Sequence, residues 1–301
     1  GYLTTRVDFV PSSTLDDVTL ALQVQEGFIE EIEIVGLERL RDDYIRSRIE
    51  QVTSPPVSTE KIEDLLRLLR QNPAIENIEA NLARGQQVRG SLLRVRVEEA
   101  NPLSGYVGLD NYSPPPVGST QVTLAGAHLN LTGRSDLLGA SYQRTTTGGA
   151  STLDIGYALP VNAREGTLSL TGSFEWNRIP LSPTLDIDGN AQEYTISFRQ
   201  PLTRTVAEEF ALSLGFDYRN GQTFLGNLPF GFGFGPDPAT GISRTSVIRF
   251  GQDYVKRDVQ GAWSARSQFS LGLGILGATT NPAPIPDSNF VSWLGQAQRV
   301  Q

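Results

Sequence analysis

The 301-residue chain contains no cysteine and no methionine, and its single histidine is His128. Without cysteine there is no disulfide framework, no thiolate metal site and no thiol nucleophile. One histidine excludes a histidine-rich metal cluster, and any Ser-His-Asp arrangement must run through His128. Charge is scarce too: charged residues are 19% of the chain, 33 acids against 25 bases, for a formal net charge of −8. A negative chain is a poor ligand for nucleic acid, and no such partner is expected. No run approaches the roughly 18 apolar residues that a membrane-crossing helix needs. There is no initiator Met and no signal-peptide apolar core, so a mature or excised piece is expected.

In place of charge the chain carries 30 Gly together with Ser, Thr, Asn and Gln, and 39% hydrophobic residues. Two architectures fit that balance. One is a soluble all-β protein. The other is a transmembrane β-barrel, whose strands conceal a lipid face within an alternating pattern. The length predicts about two domains of roughly 150 residues each, and the composition shifts near residue 100.

Before that point helical signals occur. Val18–Val24 alternates as a strand, turns at Glu26-Gly27, and continues as the strand FIEEIEIV from Phe28. Leu40, Tyr44, Ile45 and Ile49 then share one face of a helix over 41–52, which Ser54-Pro-Pro-Val-Ser58 interrupts. A second helix begins at Ser58 or Thr59, with Glu60 and Glu63 in its first turn and an apolar stripe of Ile62, Leu65, Leu66 and Leu69. Asn72-Pro73 ends it. Strands follow at 77–83 and 91–98; in the second, Leu93, Val95 and Val97 oppose Arg94 and Arg96. Residues 26–100 therefore read as a small α+β domain of order β-α-α-β-β, one sheet with both helices on one face. Residues 1–25 look like the last two strands of a preceding unit of the same kind, with a strand at 1–7.

From residue 103 to 301 the grammar is different: about ten segments of roughly 9–13 residues alternate with period two. Leu168, Leu170, Phe174 and Trp176 oppose Thr167, Ser169, Thr171, Ser173 and Glu175; Phe210 to Tyr218 and Trp263 to Ile275 repeat the pattern. Strands of soluble sandwiches average about 5–6 residues, whereas these have the length that crosses a bilayer at a tilt. Short connections at 132–135, 162–165, 202–208 and 256–260 rotate with longer ones at 113–118, 145–150, 178–190, 221–242 and 277–289. That rotation fits tight periplasmic turns and larger external loops, and it puts the small domain on the periplasmic side. Tyr106, Tyr112, Trp176, Tyr218, Tyr254, Trp263 and Trp293 fit interface girdles. The last segment, Phe290 to Gln301, stops without a closing signal, so the barrel is expected to be truncated at about ten strands.

Several phrases carry a family resemblance: GYLTTRV (1–7), VTLALQVQEGFIEEIEIVG (18–36), RLLRQNPAIENIEANLARG (67–85) and, most specific, VRVEEANPLSGYVGLDNYSPPPVGSTQVTLAGAHLNLTGRSDLL (95–138). The chain resembles the POTRA-plus-barrel superfamily, and within it the two-partner secretion transporters, or hemolysin secretion/activation proteins. The resemblance implies an α+β POTRA-type domain followed by an antiparallel transmembrane β-barrel in the cell outer membrane, with POTRA in the periplasm. It implies export of a large secreted exoprotein client, such as a hemolysin or adhesin, without ATP. The alternative within the superfamily is a barrel assembly factor or an organelle-envelope import channel. The family's late-loop Arg-Gly motif and amino-terminal plug helix are absent from these residues.

Candidate sites follow from that frame. Client capture by strand addition is expected on the edge strand bearing Asn77, Glu79 and Asn81. His128, Glu175, Arg199, Asp217, Arg249 and Arg266 are expected on the polar face, lining the pore. Arg144, Gln252 and Arg299 fall in phase with apolar residues and are assigned to strand ends. No catalytic site, cofactor or metal is expected, and the protein is not expected to be an enzyme. Asp186-Ile-Asp188-Gly189-Asn190 lacks the downstream bidentate Glu of a calcium loop, and GFGFGPDPATG (231–241) has no helix to receive a phosphate. Lipid is the expected surround, and the oligomeric state is expected to be a monomer.

Overall fold

The computed structural model describes residues 6–11, 20–233 and 235–301. Residues 1–5 of the expected first strand lie outside them. The chain divides into two compact units, residues 1–101 with 132–135, and residues 102–131 with 136–301.

In the first unit, β1 (Arg6–Pro11) and β2 (Leu20–Gln25) form a separate antiparallel pair. Then come β3 (Phe28–Val35), α1 (Asp42–Ile49), α2 (Thr59–Arg70), β4 (Ile75–Arg84) and β5 (Gly90–Glu99). Their sheet has the order β3-β5-β4, with β3 parallel and β4 antiparallel to the central β5. The alternation of β5 decides which side is buried. Leu93, Val95 and Val97 face Tyr44, Ile45 and Ile49 of α1 and Leu69 of α2 in one core, while Arg94 and Arg96 stay exposed on the other face. The apolar stripe of α2 behaves as its spacing requires: Ile62 and Leu69 are buried, and Leu65 and Leu66 pack against the core cluster. Gly36 ends β3 at φ +88°, where an added Cβ would lie 2.3 Å from the carbonyl oxygen of Val97, so only glycine fits.

The second unit is one antiparallel meander. Its strands are β6 (Leu103–Asp110), β7 (Gln121–Leu129), β8 (Leu137–Thr145), β9 (Ala150–Pro160), β10 (Thr167–Ser182), β11 (Leu185–Arg204), β12 (Glu208–Leu225), the two-residue β13 (Leu228–Pro229), β14 (Ile242–Asp258), β15 (Gly261–Leu273) and β16 (Val291–Val300). Neighbours in sequence pair throughout, β13 folds back on β12, and β6 and β16 are the open edges. A single row crosses all ten long strands: Leu103, His128, Leu138, Tyr157, Leu170, Ile196, Phe216, Ile248, Leu271 and Val291.

Among the described residues no second layer packs on that apolar side. Leu124, Leu170, Ile196, Leu214, Phe269 and Leu271 are all exposed, Leu214 by 58%. A sandwich would bury these side chains against a second layer, and among the described residues there is none. A contiguous uncovered apolar face of this extent belongs in lipid or against another protein. No helix among the described residues is long and apolar enough to cross a membrane.

Three expectations about connections are corrected. The segment 178–190 is not a loop: β10 and β11 stay paired through it, with one register shift between Pro180 and Ser182, and turn over two residues, Pro183-Thr184. The 145–150 connection is also short, because β8 reaches Thr145 and β9 starts at Ala150. Within 221–242, strand pairing continues to Leu225 and β13 forms a small hairpin.

Candidate functional site

The first candidate surface is the free side of the small sheet. Both β3 and β4 are edge strands among the described residues. On β4, Glu79 opposes Arg96 and Asn81 opposes Arg94, placing Asn77, Glu79 and Asn81 on the polar side away from the helices. Asn77 Nδ2 donates to Glu79 Oε1 at 3.2 Å. Gly85 N donates to Gly90 O at 2.9 Å, which sets the phase of the ladder. In an antiparallel pair hydrogen-bonded residues alternate with outward-directed ones. Residues 79, 81 and 83 therefore bond to β5, while 78, 80, 82 and 84 direct their backbone groups to the free edge.

Each edge has an arginine from the adjoining helix on one free carbonyl. Arg46 of α1 donates from Nη1 to Ile32 O at 3.0 Å, and Arg70 of α2 donates from Nη2 to Ile78 O at 3.0 Å. Asp42 grips Arg46 through two bonds of 2.6 and 3.0 Å, which pushes its guanidinium pKa up. Nearby, the Arg41 guanidinium at 2.9 Å holds the Asp43 carboxyl below the usual aspartate range. Among the described residues Arg70 has only the neutral Asn77 Oδ1, at 3.3 Å, beside its carbonyl contact.

Spacing gives no hint of the joint at the end of β5. Glu99 Oε1 accepts from the backbone N–H groups of Glu38, Arg39 and Leu40 at 2.7–2.8 Å, and Arg39 Nε lies 3.4 Å from Glu99 Oε2. The carboxylate side chain is 2% exposed. Glu99 thus satisfies the run of donors leading into α1 from about sixty residues away in sequence, a partnership that local pattern cannot reveal.

The second surface is the polar face of the large sheet. Glu175, Arg199, Asp217, Arg249 and Arg266 all fall on it by register, opposite the apolar row. They are not isolated. Asp217 accepts from Thr195 Oγ1 at 2.8 Å and pairs with Arg249; Arg249 Nη1 reaches Ser270 Oγ at 3.4 Å. Arg266 donates to Gln268 Oε1 at 2.8 Å and lies 3.7 Å from Asp253. The polar ladder so formed ties β11, β12, β14 and β15. Arg199 binds Glu209 at 2.6 Å, with Arg204 on the second oxygen, and Glu175 has a looser contact of 3.9 Å with Arg219. On β9, Asp154 accepts from Ser173 and Ser141. Thr195, Ser270 and Gln268 had no charge to draw attention in the sequence, yet they complete the ladder.

His128 is a correction. Its register partners are Leu103 and Leu138, so it stands on the apolar face rather than the polar one. Its Nδ1 is buried without a hydrogen-bond partner among the described residues. Tyr106 reverses the other way: it pairs with Ala125 on the polar face, within β6, and is no girdle residue. Arg144 and Arg299 do lie at strand ends, Arg299 with its guanidinium 5.0 Å from the Trp263 ring. Gln252 does not; it lies within β14 between Leu212 and Ser267. Asp186 and Asp188 belong to β11, and Asp188 accepts from Arg178 Nε at 2.6 Å. No cluster of three or more His, Asp or Glu able to hold a metal occurs among the described residues.

Comparison with known proteins follows the same lines. The chain is 23% identical to the hemolysin transporter protein ShlB of Serratia marcescens over 96% of its own length and 50% of that protein. Among solved structures, CdiB from Escherichia coli aligns with a TM-score of 0.79 at 18% identity, over 99% of this chain and 55% of that one. CdiB from Acinetobacter baumannii aligns with a TM-score of 0.68 at 14% identity, over 91% and 51%. BamA from Haemophilus ducreyi lacking POTRA domains 1-3 gives 0.59 at 15% identity, over 90% and 54%. These structures share the fold, and the chain spans about half the length of each relative. Residues 89–301, well over half of the chain, match the family described as haemolysin secretion/activation protein ShlB/FhaC/HecB, and the chain belongs to that family.

Proposed function

We propose that this chain is the POTRA and early-barrel part of an outer-membrane translocase that exports a large exoprotein, such as a hemolysin or adhesin, in two-partner secretion. The observation that carries the reading is the two-faced sheet. Ten antiparallel strands with an uncovered apolar side and a hydrogen-bonded polar side suit a wall between lipid and water.

In this reading the apolar row contacts outer-membrane lipid. Glu175, Arg199, Asp217, Arg249 and Arg266 line the lumen, and most of the charge they carry is answered by neighbouring strands. The lumen wall is therefore wet but not sticky, as passage of an unfolded chain requires. Residues 26–100 form a POTRA domain in the periplasm, residues 1–25 end the preceding one, and residues 103–301 belong to the barrel. The β4 edge, bearing Asn77, Glu79 and Asn81, captures the client by strand addition. The transporter works as a monomer, performs no bond chemistry, and uses neither cofactor nor nucleic acid.

The test deletes residues 28–98 from the complete protein in its own cells. Secreted proteins and the levels of other outer-membrane barrels are followed together. Loss of one or a few exoproteins, with other barrels unchanged, is the expected result. Loss of many barrels overturns it in favour of an assembly factor.

A further inference from the structure

The two edges of the small sheet are closed in different ways. On β3, the free-side carbonyl of Ile32 is covered by Arg46, and Arg46 is itself held by the bidentate grip of Asp42. A charge-assisted pair of that geometry is already satisfied and has little reason to move. On β4, Arg70 covers the carbonyl of Ile78 in the same manner, yet no carboxylate pairs with it among the described residues. Beyond that carbonyl, the outward backbone groups of Ala80, Leu82 and Arg84 form an open run, and β4 has no strand on that side among the described residues. Arg84, at the far end, is exposed, and among the described residues its side chain has neither an ion pair nor a hydrogen bond. From Ile78 to Arg84 the edge extends about 20 Å at the usual strand rise.

An incoming strand must take the Ile78 carbonyl for its own N–H, and Arg70 then loses its best acceptor. A carboxylate on the incoming strand near that position offers Arg70 a charged replacement, so displacement and recognition become one event. We infer that Arg70 is a displaceable latch on the β4 edge, which selects extended client segments carrying an acidic side chain among alternating apolar and small polar residues. The inference rests on the reading of β4 as the client edge and adds what the edge prefers. The locked Arg46 explains why β3, the other edge, is passed over.

The probes are two labelled ten-residue peptides of alternating Val and Thr, identical except for one central Glu or Gln, titrated by fluorescence anisotropy against the 301-residue chain in detergent. An exposed ion pair contributes up to about 1 kcal/mol, so the Glu peptide should bind about three- to fivefold more tightly. Arg70→Gln should erase that difference while leaving the helical circular dichroism unchanged. Ala80→Pro removes an outward N–H without breaking a ladder bond, and it should abolish binding of both peptides. Equal affinities in the parent chain, with both lost in Ala80→Pro, overturn the latch and leave the edge reading standing. Binding indifferent to Ala80→Pro, or no binding of either peptide, overturns the edge reading and the latch with it.

Discussion

Single side chains in this protein act mainly by answering groups on other strands. Glu99 is the clearest case: one buried carboxylate takes three backbone donors and an arginine. Glu99→Ala leaves those donors without their acceptor, and a cost of about 2–3 kcal/mol is expected. It would be measured as earlier loss of the helical part of the 222 nm signal in urea, since the two α-helices among the elements described, α1 and α2, both belong to the small unit. The Asp217–Arg249 pair on the large sheet makes a second test. Asp217 is nearly buried while Arg249 is not, so Arg249→Ala, which strands the carboxylate, should cost more than Asp217→Asn. A double-mutant cycle in detergent should give a coupling of roughly 1–2 kcal/mol. Neither partnership is visible in the linear sequence, because strand pairing, and not spacing, brings the groups together. His128 illustrates the related failure. Val122, Leu124, Gly126 and His128 share one face of β7, but Gly126 breaks the apolar pattern and Leu129, at the strand end, stands out of phase. Asn130, of the same parity as His128, makes that side look polar and so puts His128 on the wrong face.

At the level of elements, alternation was a sound guide wherever large apolar residues persist. The faces of β10, β12 and β15 and the stripe of α2 all follow from period alone. It failed where strands run on with mixed polarity, as in the hairpin of β10 and β11 around Asp186–Asn190. There Arg178 and the two aspartates look like loop residues, yet the ladder continues and the ion pair forms across it. The difference between faces can be tested with adjacent residues. Leu170→Arg places a charge on the uncovered apolar side and should cost about 2–4 kcal/mol near the membrane midplane. Thr171→Arg places the same charge on the polar side and should cost little. Heat-modifiable mobility in gels and folded yield in the outer membrane would both report it; equal tolerance of the two would contradict the facing of the sheet.

For the whole molecule, the two units have different solvents. The small unit has a conventional core between two helices and one side of a three-stranded sheet, whereas among the described residues of the large unit the buried hydrophobic ones are Ala211, Val247 and Val117. A sheet so built is stable only if something apolar covers it from outside, and the family to which the chain belongs supplies the context of secretion. These 301 residues contain no cysteine, so a thiol introduced here is unique among them, and any cysteine elsewhere in the complete protein is first replaced by serine. Asn227, in the turn between β12 and β13, and Val259, in the turn after β14, lie at opposite ends of the strands. In the complete protein expressed in its own cells, a membrane-impermeant maleimide should label Asn227→Cys in intact cells and Val259→Cys only after lysis. Labelling of both in intact cells, or of Val259→Cys alone, would contradict a sheet that spans the outer membrane with its short turns in the periplasm.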